Sequence, residues 1–324
     1  MTEVLILLTL PEPVRMQYVL ALREAFPKMA INLVDHAGKV DPFIERADVL
    51  MTFGPMLLDR APEILGRGKR LKWIQAFGTG VDNIADVATL AEPVVITNIQ
   101  GIHGAPVSEA ALMAMLALSR DLPRVVRNQD RRAWERRPAR LLDGKSVGIV
   151  GVGQIAEALA PKCKAFGMDV IGVSSAPRSV PGFDRMLGRD ALTEAAREVD
   201  YLVLLTPYSA QTRHLVGAEV LGAMKPTAYL VNLARGGVVD EQALLEALRE
   251  ERIAGAALDV FATEPLPAEH PFWAMPNVLI TPHLGGFCDV YARLALPTIV
   301  ENMRRFLAGE TGQMLNRVQR TARV

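Results

Sequence analysis

The run Val147-Gly148-Ile149-Val150-Gly151-Val152-Gly153-Gln154-Ile155-Ala156 decides how this chain reads. An apolar, strand-like segment ends in a Gly-x-Gly turn and passes into a helix-like pattern. A turn of this kind presents free backbone N–H groups at the start of a helix, which is how a chain receives a pyrophosphate. Gly151 permits the tight turn, and Gly153 lets the backbone approach the ligand, with Gln154 and Ile155 opening the helix. Ala156 stands at the third position, where a small side chain allows helix and strand to pack closely. A lone Gly-x-Gly is a weak signal, and an ordinary glycine turn in an α/β domain is the alternative. Here a strand precedes the turn, a helix follows, and another strand-like run, Val170–Val173, comes at the right distance. The combination predicts a dinucleotide site.

The end of that next strand bears on which dinucleotide. NAD sites usually place an Asp or Glu there, about twenty residues past the glycines, to hold the ribose 2′-hydroxyl. This chain reads Val173-Ser174-Ser175-Ala176-Pro177-Arg178 instead. The segment has no carboxylate to repel a 2′-phosphate, while Ser174 and Ser175 offer hydroxyl donors and Arg178 a cation. The expectation is NADP(H), with NAD(H) as the alternative and Arg178 pointing into solvent as the bland reading.

Short apolar runs alternate with helical patterns along the rest of the chain, the signature of parallel sheets with crossover helices. Candidate strands are Val4–Leu8, Ile31–Val34, Val49–Thr52, Leu71–Ala76 and Val94–Asn98, then Val147–Val150, Val170–Val173, Tyr201–Leu205, Ala228–Leu233, Gly255–Val260 and Val278–Thr281. Asp240 reads as the N-cap of a helix over Glu241–Glu251. Between the two runs, Gly101-Ile102-His103-Gly104 breaks the pattern. Ala105 to Leu122 follows as one helix, apolar on most faces and therefore expected to be buried in an interface. A final helical segment after Gly285-Gly286 runs to about Phe306 and is expected to cross back to the first domain.

At 324 residues the length suggests two domains, and the 50% hydrophobic content supplies a substantial core. The 36 basic and 36 acidic residues balance, which argues against general polyanion binding. Eight arginines lie between Arg120 and Arg140 against three acids, and they read as a solvated arm or subunit contact rather than a nucleic-acid surface. The two cysteines, Cys163 and Cys288, form neither a disulfide framework nor a metal motif. The first residues lack a signal-peptide pattern and no apolar stretch is long enough for a membrane span, so a cytoplasmic protein without membrane partners is expected.

Three further strand ends carry chemistry. Asn232-Leu233-Ala234-Arg235-Gly236-Gly237 puts a guanidinium beside glycines that let a ligand come close. Leu258-Asp259-Val260-Phe261-Ala262-Thr263-Glu264-Pro265 places two acids after a strand, and Thr281-Pro282-His283-Leu284-Gly285-Gly286 does the same for a histidine. Ligands of open α/β sheets bind beyond the carboxyl ends of the strands, so Arg235, Glu264 and His283 are positioned to converge. Arg suits a carboxylate because its planar fork binds both oxygens. Histidine can supply a proton near neutral pH, and a neighbouring carboxylate orients it and stabilises its charged form. Together with a dinucleotide this is the equipment for reducing a 2-oxo acid. His36, His214 and His270 sit in polar loop contexts without such neighbours, and His103 lies at the domain crossing.

These motifs resemble the D-isomer-specific 2-hydroxyacid dehydrogenases, which include glyoxylate/hydroxypyruvate reductases and phosphoglycerate dehydrogenases, and the resemblance extends over nearly the whole chain. Gly78-Thr79-Gly80-Val81-Asp82-Asn83 resembles the loop whose amides hold the substrate carboxylate, and Val107-Ser108-Glu109 the segment opening the interdomain helix. The resemblance implies that Arg235 binds substrate, His283 is the acid/base and Glu264 its partner. It also implies that Asp259 contacts the nicotinamide carboxamide and that Thr206 and Pro207 line the adenine pocket. A homodimer is implied, with a projecting arm over residues 104–140 and Trp134 where some members send an aromatic residue into the partner's active site. Ala156 for the usual third glycine and the missing strand-end acid depart from the family pattern.

The fold expected is α/β, with two doubly wound parallel-sheet domains and an interdomain cleft holding the active site. A smaller flavodoxin-like substrate domain would take residues 1–102 and 288–324, and a Rossmann-type dinucleotide domain residues 103–287. The expected activity is NAD(P)H-dependent reduction of a small 2-oxo acid, of the glyoxylate/hydroxypyruvate type. A phosphoglycerate dehydrogenase and a cofactor-sensing corepressor are the alternatives. Glutamate at 264, where formate dehydrogenases carry glutamine, argues against that enzyme.

Overall fold

The computed structural model describes residues 1–319; positions 320–324, the end of the segment assigned to the substrate domain, lie outside the described residues. The chain divides into two compact units, Met1–Ile102 with Asp289–Val324, and His103–Cys288. Both are α/β units built on parallel sheets, as the alternating pattern predicts.

The first unit runs β1 (Glu3–Leu7), α1 (Glu12–Ala25), β2 (Ala30–Val34), α2 (Asp41–Ile44), β3 (Val49–Thr52), α3 (Ala61–Arg67), β4 (Trp73–Ala76) and β5 (Val95–Thr97). Its five strands order as β2-β1-β3-β4-β5, all parallel, which is the flavodoxin-like doubly wound order. Helices cover both faces of such a sheet, so β3 and β4 are buried throughout and read as near-continuous apolar runs. The last helix of the chain, Tyr291–Leu307, packs here: the Tyr291 hydroxyl donates to the Phe77 carbonyl at 2.6 Å, and Asn302 Nδ2 donates to Gln75 Oε1 at 3.3 Å.

The second unit opens with α4 (Gly104–Ser119) and α5 (Leu122–Asp130) and continues β6 (Ser146–Val150), α6 (Gln154–Ala165), β7 (Asp169–Ser174), β8 (Arg185–Gly188), α7 (Leu192–Glu198) and β9 (Tyr201–Leu204). It closes with α8 (Ala218–Ala223), β10 (Tyr229–Asn232), α9 (Glu241–Arg249), β11 (Gly255–Leu258) and β12 (Val278–Ile280), before the Tyr291–Leu307 helix, α10. The seven strands order as β12-β11-β10-β9-β6-β7-β8. From β6 the chain winds outward through β7 and β8, then returns to the other side of β6 at β9. The order therefore reverses between β6 and β9, and that switch point is where open α/β sheets bind ligands. The Gly151–Gly153 turn sits directly above it.

Three expectations need correction. Arg185–Gly188 is a strand not anticipated from sequence: it pairs with β7 at the sheet edge, where half-solvated positions leave no apolar run to read. The helix expected over Ala105–Leu122 ends at Ser119, because Asp121 takes a left-handed φ of 53° and Pro123 starts a new helix, α5. The strands expected to reach Leu233 and Val260 stop pairing at Asn232 and Leu258. The residues beyond leave the ladder to build the site. Asp240 caps α9 as read, its carboxylate accepting from the Gln242 and Ala243 amides at 3.1 Å. No helix among the described residues is long and apolar enough to cross a membrane.

Candidate active site

The cofactor side begins at β6. Gly151 has φ +94°, and a Cβ there would lie 2.6 Å from the Thr206 backbone, so only glycine fits the turn. A Cβ on Gly153 would meet nothing within 4 Å, and no side chain caps the first amides of α6. Gln154 is exposed and Ile155 half-buried beside that opening, while Ala156 is fully buried against the sheet. The residues present thus fit a pyrophosphate on an open helix start. Thr206 is buried and the Pro207 carbonyl accepts from the Thr212 hydroxyl at 2.8 Å, which orders the chain leaving β9.

At the end of β7 the structure adds a partner that the segment itself does not contain. Ser174 Oγ accepts from the Ala176 amide at 3.3 Å, and Ser175 is exposed. Arg178 is not simply in solvent, nor is its neighbourhood free of carboxylate: its guanidinium is ion-paired with Glu157 from the first turn of α6. Residues 21 positions apart meet there, a contact that no local pattern announces.

On the other side of the switch point, β10 delivers Arg235. Asn232, buried at the strand end, shapes the turn: its Oδ1 accepts from the Ala234 amide and its Nδ2 donates to the Arg235 carbonyl, both at 3.1 Å. A Cβ on Gly236 would fall 1.9 Å from the Phe261 carbonyl carbon, so this turn and the one after β11 touch backbone to backbone. Arg235 Nη1 donates to the Ala234 carbonyl at 2.7 Å.

Glu264 and His283 meet. The Phe261 amide donates to Glu264 Oε1 at 3.0 Å, leaving Oε2 to His283 Nδ1 at 2.7 Å. Burial alone would raise the Glu264 carboxyl; the hydrogen bond and charge of His283, the Phe261 amide and the charge of Arg235 outweigh it and hold the group below the usual carboxylate range. A charged carboxylate accepts only, so Nδ1 carries a proton and Nε2 is the nitrogen left to act on a ligand.

His283 itself has φ +54°, a left-handed backbone that needs support. Asp259, 3% exposed, supplies it. Its Oδ1 accepts from the Thr281 hydroxyl at 2.5 Å and the Leu284 amide at 2.8 Å, its Oδ2 from the Gly285 amide at 2.8 Å, and its carbonyl from the His283 amide at 2.8 Å. Both carboxylate oxygens are thus engaged by the histidine loop, a task the motif reading did not include. Asp259 also closes one side of an apolar cleft of about 240 Å³ lined by Pro106, Met113, Leu233, Leu279 and Leu284.

His103 is the neighbour that sequence reasoning passed over. Its ring lies where a Cβ on Gly286 would come within 3.2 Å, and burial, then the charge of Arg235, hold its imidazole below the ordinary histidine range. No motif signals this, because the contact joins the two ends of the unit. His36 and His270 instead accept backbone amides within their own turns through Nδ1, at 3.0 and 3.3 Å, and His214 stands 4.0 Å from Asp240. In the first unit, the Gly78–Gly80 loop is braced by the Thr79 hydroxyl donating to the Ile99 carbonyl at 2.9 Å and Asn98 Nδ2 donating to the Thr79 carbonyl at 2.7 Å.

Residues 112–285 match the family model for the NAD-binding domain of D-isomer specific 2-hydroxyacid dehydrogenases. A D-3-phosphoglycerate dehydrogenase of Methanocaldococcus jannaschii is 33% identical over 88% of this chain, and the chain spans 56% of that relative's length. A glyoxylate reductase of Thermococcus onnurineus is 35% identical over 82% of both chains. The crystal structure of a D-isomer specific 2-hydroxyacid dehydrogenase from Xanthobacter autotrophicus Py2 in complex with NADPH and MES superposes with a TM-score of 0.78, at 32% identity and 98% coverage of each chain. The chain belongs to the D-isomer specific 2-hydroxyacid dehydrogenase family.

Proposed function

We propose that this protein reduces a small 2-oxo acid of the glyoxylate/hydroxypyruvate type to the D-2-hydroxy acid, with NADP(H) as the favoured cofactor. The observation that carries the reading is the 2.7 Å contact between His283 Nδ1 and Glu264 Oε2, beside Arg235 at the carboxyl end of a dinucleotide sheet. When bound, the nicotinamide supplies the hydride that adds to the carbonyl carbon. The protonated imidazolium of His283 delivers its Nε2 proton to the carbonyl oxygen, and Glu264 holds the ring through Nδ1–H and balances its positive charge. Arg235 binds the substrate carboxylate through its fork and polarises the carbonyl, drawing charge toward the developing alkoxide. The strand end without an acid, with Arg178 beyond it, supports NADP(H), as does the NADPH complex of the Xanthobacter relative.

A homodimer is part of the same reading. Leu122, Val125 and Val126 of α5 and Trp134 beyond it leave large apolar surface in solvent, Trp134 at 92% exposure, in the segment that the family resemblance assigns to the arm.

The test is a steady-state screen of glyoxylate, hydroxypyruvate, 3-phosphohydroxypyruvate, pyruvate and phenylpyruvate, each with NADPH and with NADH. Turnover highest with glyoxylate or hydroxypyruvate and NADPH is expected. A preference for the phosphorylated acid would transfer the assignment to phosphoglycerate chemistry. Cofactor binding without oxidation by any 2-oxo acid would favour a sensing role instead.

A further inference from the structure

We propose that Glu157 sets how strongly the protein prefers the 2′-phosphorylated cofactor, by competing for the Arg178 guanidinium. The inference rests on the reading of Arg178 as the partner of that phosphate.

Glu157 lies on the first turn of α6, its amide bonded to the Gly153 carbonyl at 2.9 Å, so it is tied to the glycine turn itself. Arg178 comes from the opposite direction. Past β7 the loop folds back on α6, close enough that a Cβ on Gly182 would sit 3.3 Å from Ala160 and Pro161. The guanidinium Nη2 then donates to Glu157 Oε1. Glu157 thus supplies from the helix a carboxylate that the strand end lacks.

Carboxylates and phosphates engage the same planar fork of donors, so the two anions compete for one side chain. A 2′-phosphate entering beside Arg178 either takes the guanidinium from Glu157 or shares it. In both cases part of the Arg178–Glu157 pairing is given up when NADPH binds. A 2′-hydroxyl forces neither outcome, because it carries no charge and does not need the cation. The pair therefore counts against NADPH and is neutral toward NADH. Its side chains are 58% and 40% exposed, and solvent screens the interaction, so the effect on NADPH affinity is modest: about twofold to fivefold. Release of Arg178 is easy on this scale. The arginine keeps its preference for the phosphate, and Glu157 moderates it.

Fluorescence titration of the whole protein with NADPH and with NADH tests this in wild type, Glu157→Gln, Arg178→Ala and the double variant. Glutamine keeps the size and helix propensity of glutamate while removing the charge. Glu157→Gln is expected to tighten NADPH about twofold to fivefold and leave NADH unchanged, and the gain is expected to vanish in the Arg178→Ala background. Weaker NADPH binding by Glu157→Gln would mean that the carboxylate pre-orients the arginine, which overturns the proposal. So would a gain that survives without Arg178, since that is direct repulsion rather than competition. If Arg178→Ala weakens NADPH selectively while Glu157→Gln is silent, the inference alone fails. If Arg178→Ala weakens both cofactors alike, the phosphate assignment itself is wrong.

Discussion

His283 has its Nδ1 committed to Glu264, and the consequences can be measured one residue at a time. Replacing His283 with Ala removes the proposed proton donor and should lower kcat by about 10²–10⁴, while NADPH affinity stays near wild type. Wild-type turnover in that variant would place the donor elsewhere. Glu264→Gln keeps a hydrogen-bonding group on the ring but takes away its counter-charge. The variant's kcat should therefore fall, though by less than in His283→Ala; undiminished turnover would uncouple the two residues. A stability signature accompanies it. The Glu264 carboxyl is held below its ordinary value of 4.5, so the folded state keeps it charged to lower pH than the unfolded chain does. Its contribution is present above about 4.5 and is lost as pH falls through the depressed folded value. Thermal unfolding should therefore show wild type more stable than Glu264→Gln at pH 7, with the gap closing in acid.

At the scale of elements, the site is a set of turns that leave the sheet early. β10 and β11 stop pairing at Asn232 and Leu258, and the freed residues bond to one another instead. The clearest case is the Asp259 carboxylate beneath the left-handed His283. Asp259→Asn would turn an amide NH₂ toward the Leu284 or Gly285 amide, leaving buried donors facing each other at a cost of about 1–3 kcal/mol. Thr281→Val removes only the hydroxyl donor. Both variants should lower kcat, Asp259→Asn by more, because the His283 ring loses its fixed position. Thr281→Val should leave NADPH affinity within about twofold, whereas a larger loss would mean that Thr281 serves the cofactor more than the histidine.

On the scale of the whole molecule, each unit has a core of its own: Leu5, Leu50 and Ile74 belong to one, Leu204, Leu230 and Leu258 to another. The stretch from Leu122 to Leu141, which includes α5, buries no residue, and Val125 and Val126 are 53% and 48% exposed. A stable dimer would cover them. Sedimentation equilibrium should give twice the 35.3 kDa of the chain, and Val125→Asp with Val126→Asp should shift the population toward monomer. A monomeric wild type would leave this apolar surface without the occupant assigned to it.

Periodicity and turn chemistry are local, and what depends on them was readable from residues 147–156 outward. The residue at 151 has to be glycine because its φ of +94° and the Thr206 backbone 2.6 Å from a Cβ leave no room for a side chain, and a strand buried on both faces has to be apolar, so the doubly wound α/β class follows from the order of residues alone. The same holds for the Asp240 cap, which needs only its next three residues. Edge strand β8 was not readable, because a half-solvated strand carries no obligatory pattern. Nor were the pairs that matter most to the site's electrostatics. Glu157 with Arg178, Asp259 with Thr281 and His103 beside Gly286 join positions 21, 22 and 183 apart. Arg178 reaches back to α6 from the loop after β7, Thr281 follows the strand next to the one before Asp259, and His103 and Gly286 come from opposite ends of the unit. Sequence alone marked Arg235, Glu264 and His283 as chemistry at strand ends. Only the tertiary structure decided that Glu264 faces Nδ1 of His283, that the acid at 259 is engaged by the histidine's own loop, and that the arginine offered to a phosphate already holds a carboxylate, because hydrogen bonds and charges act through space and not along the chain.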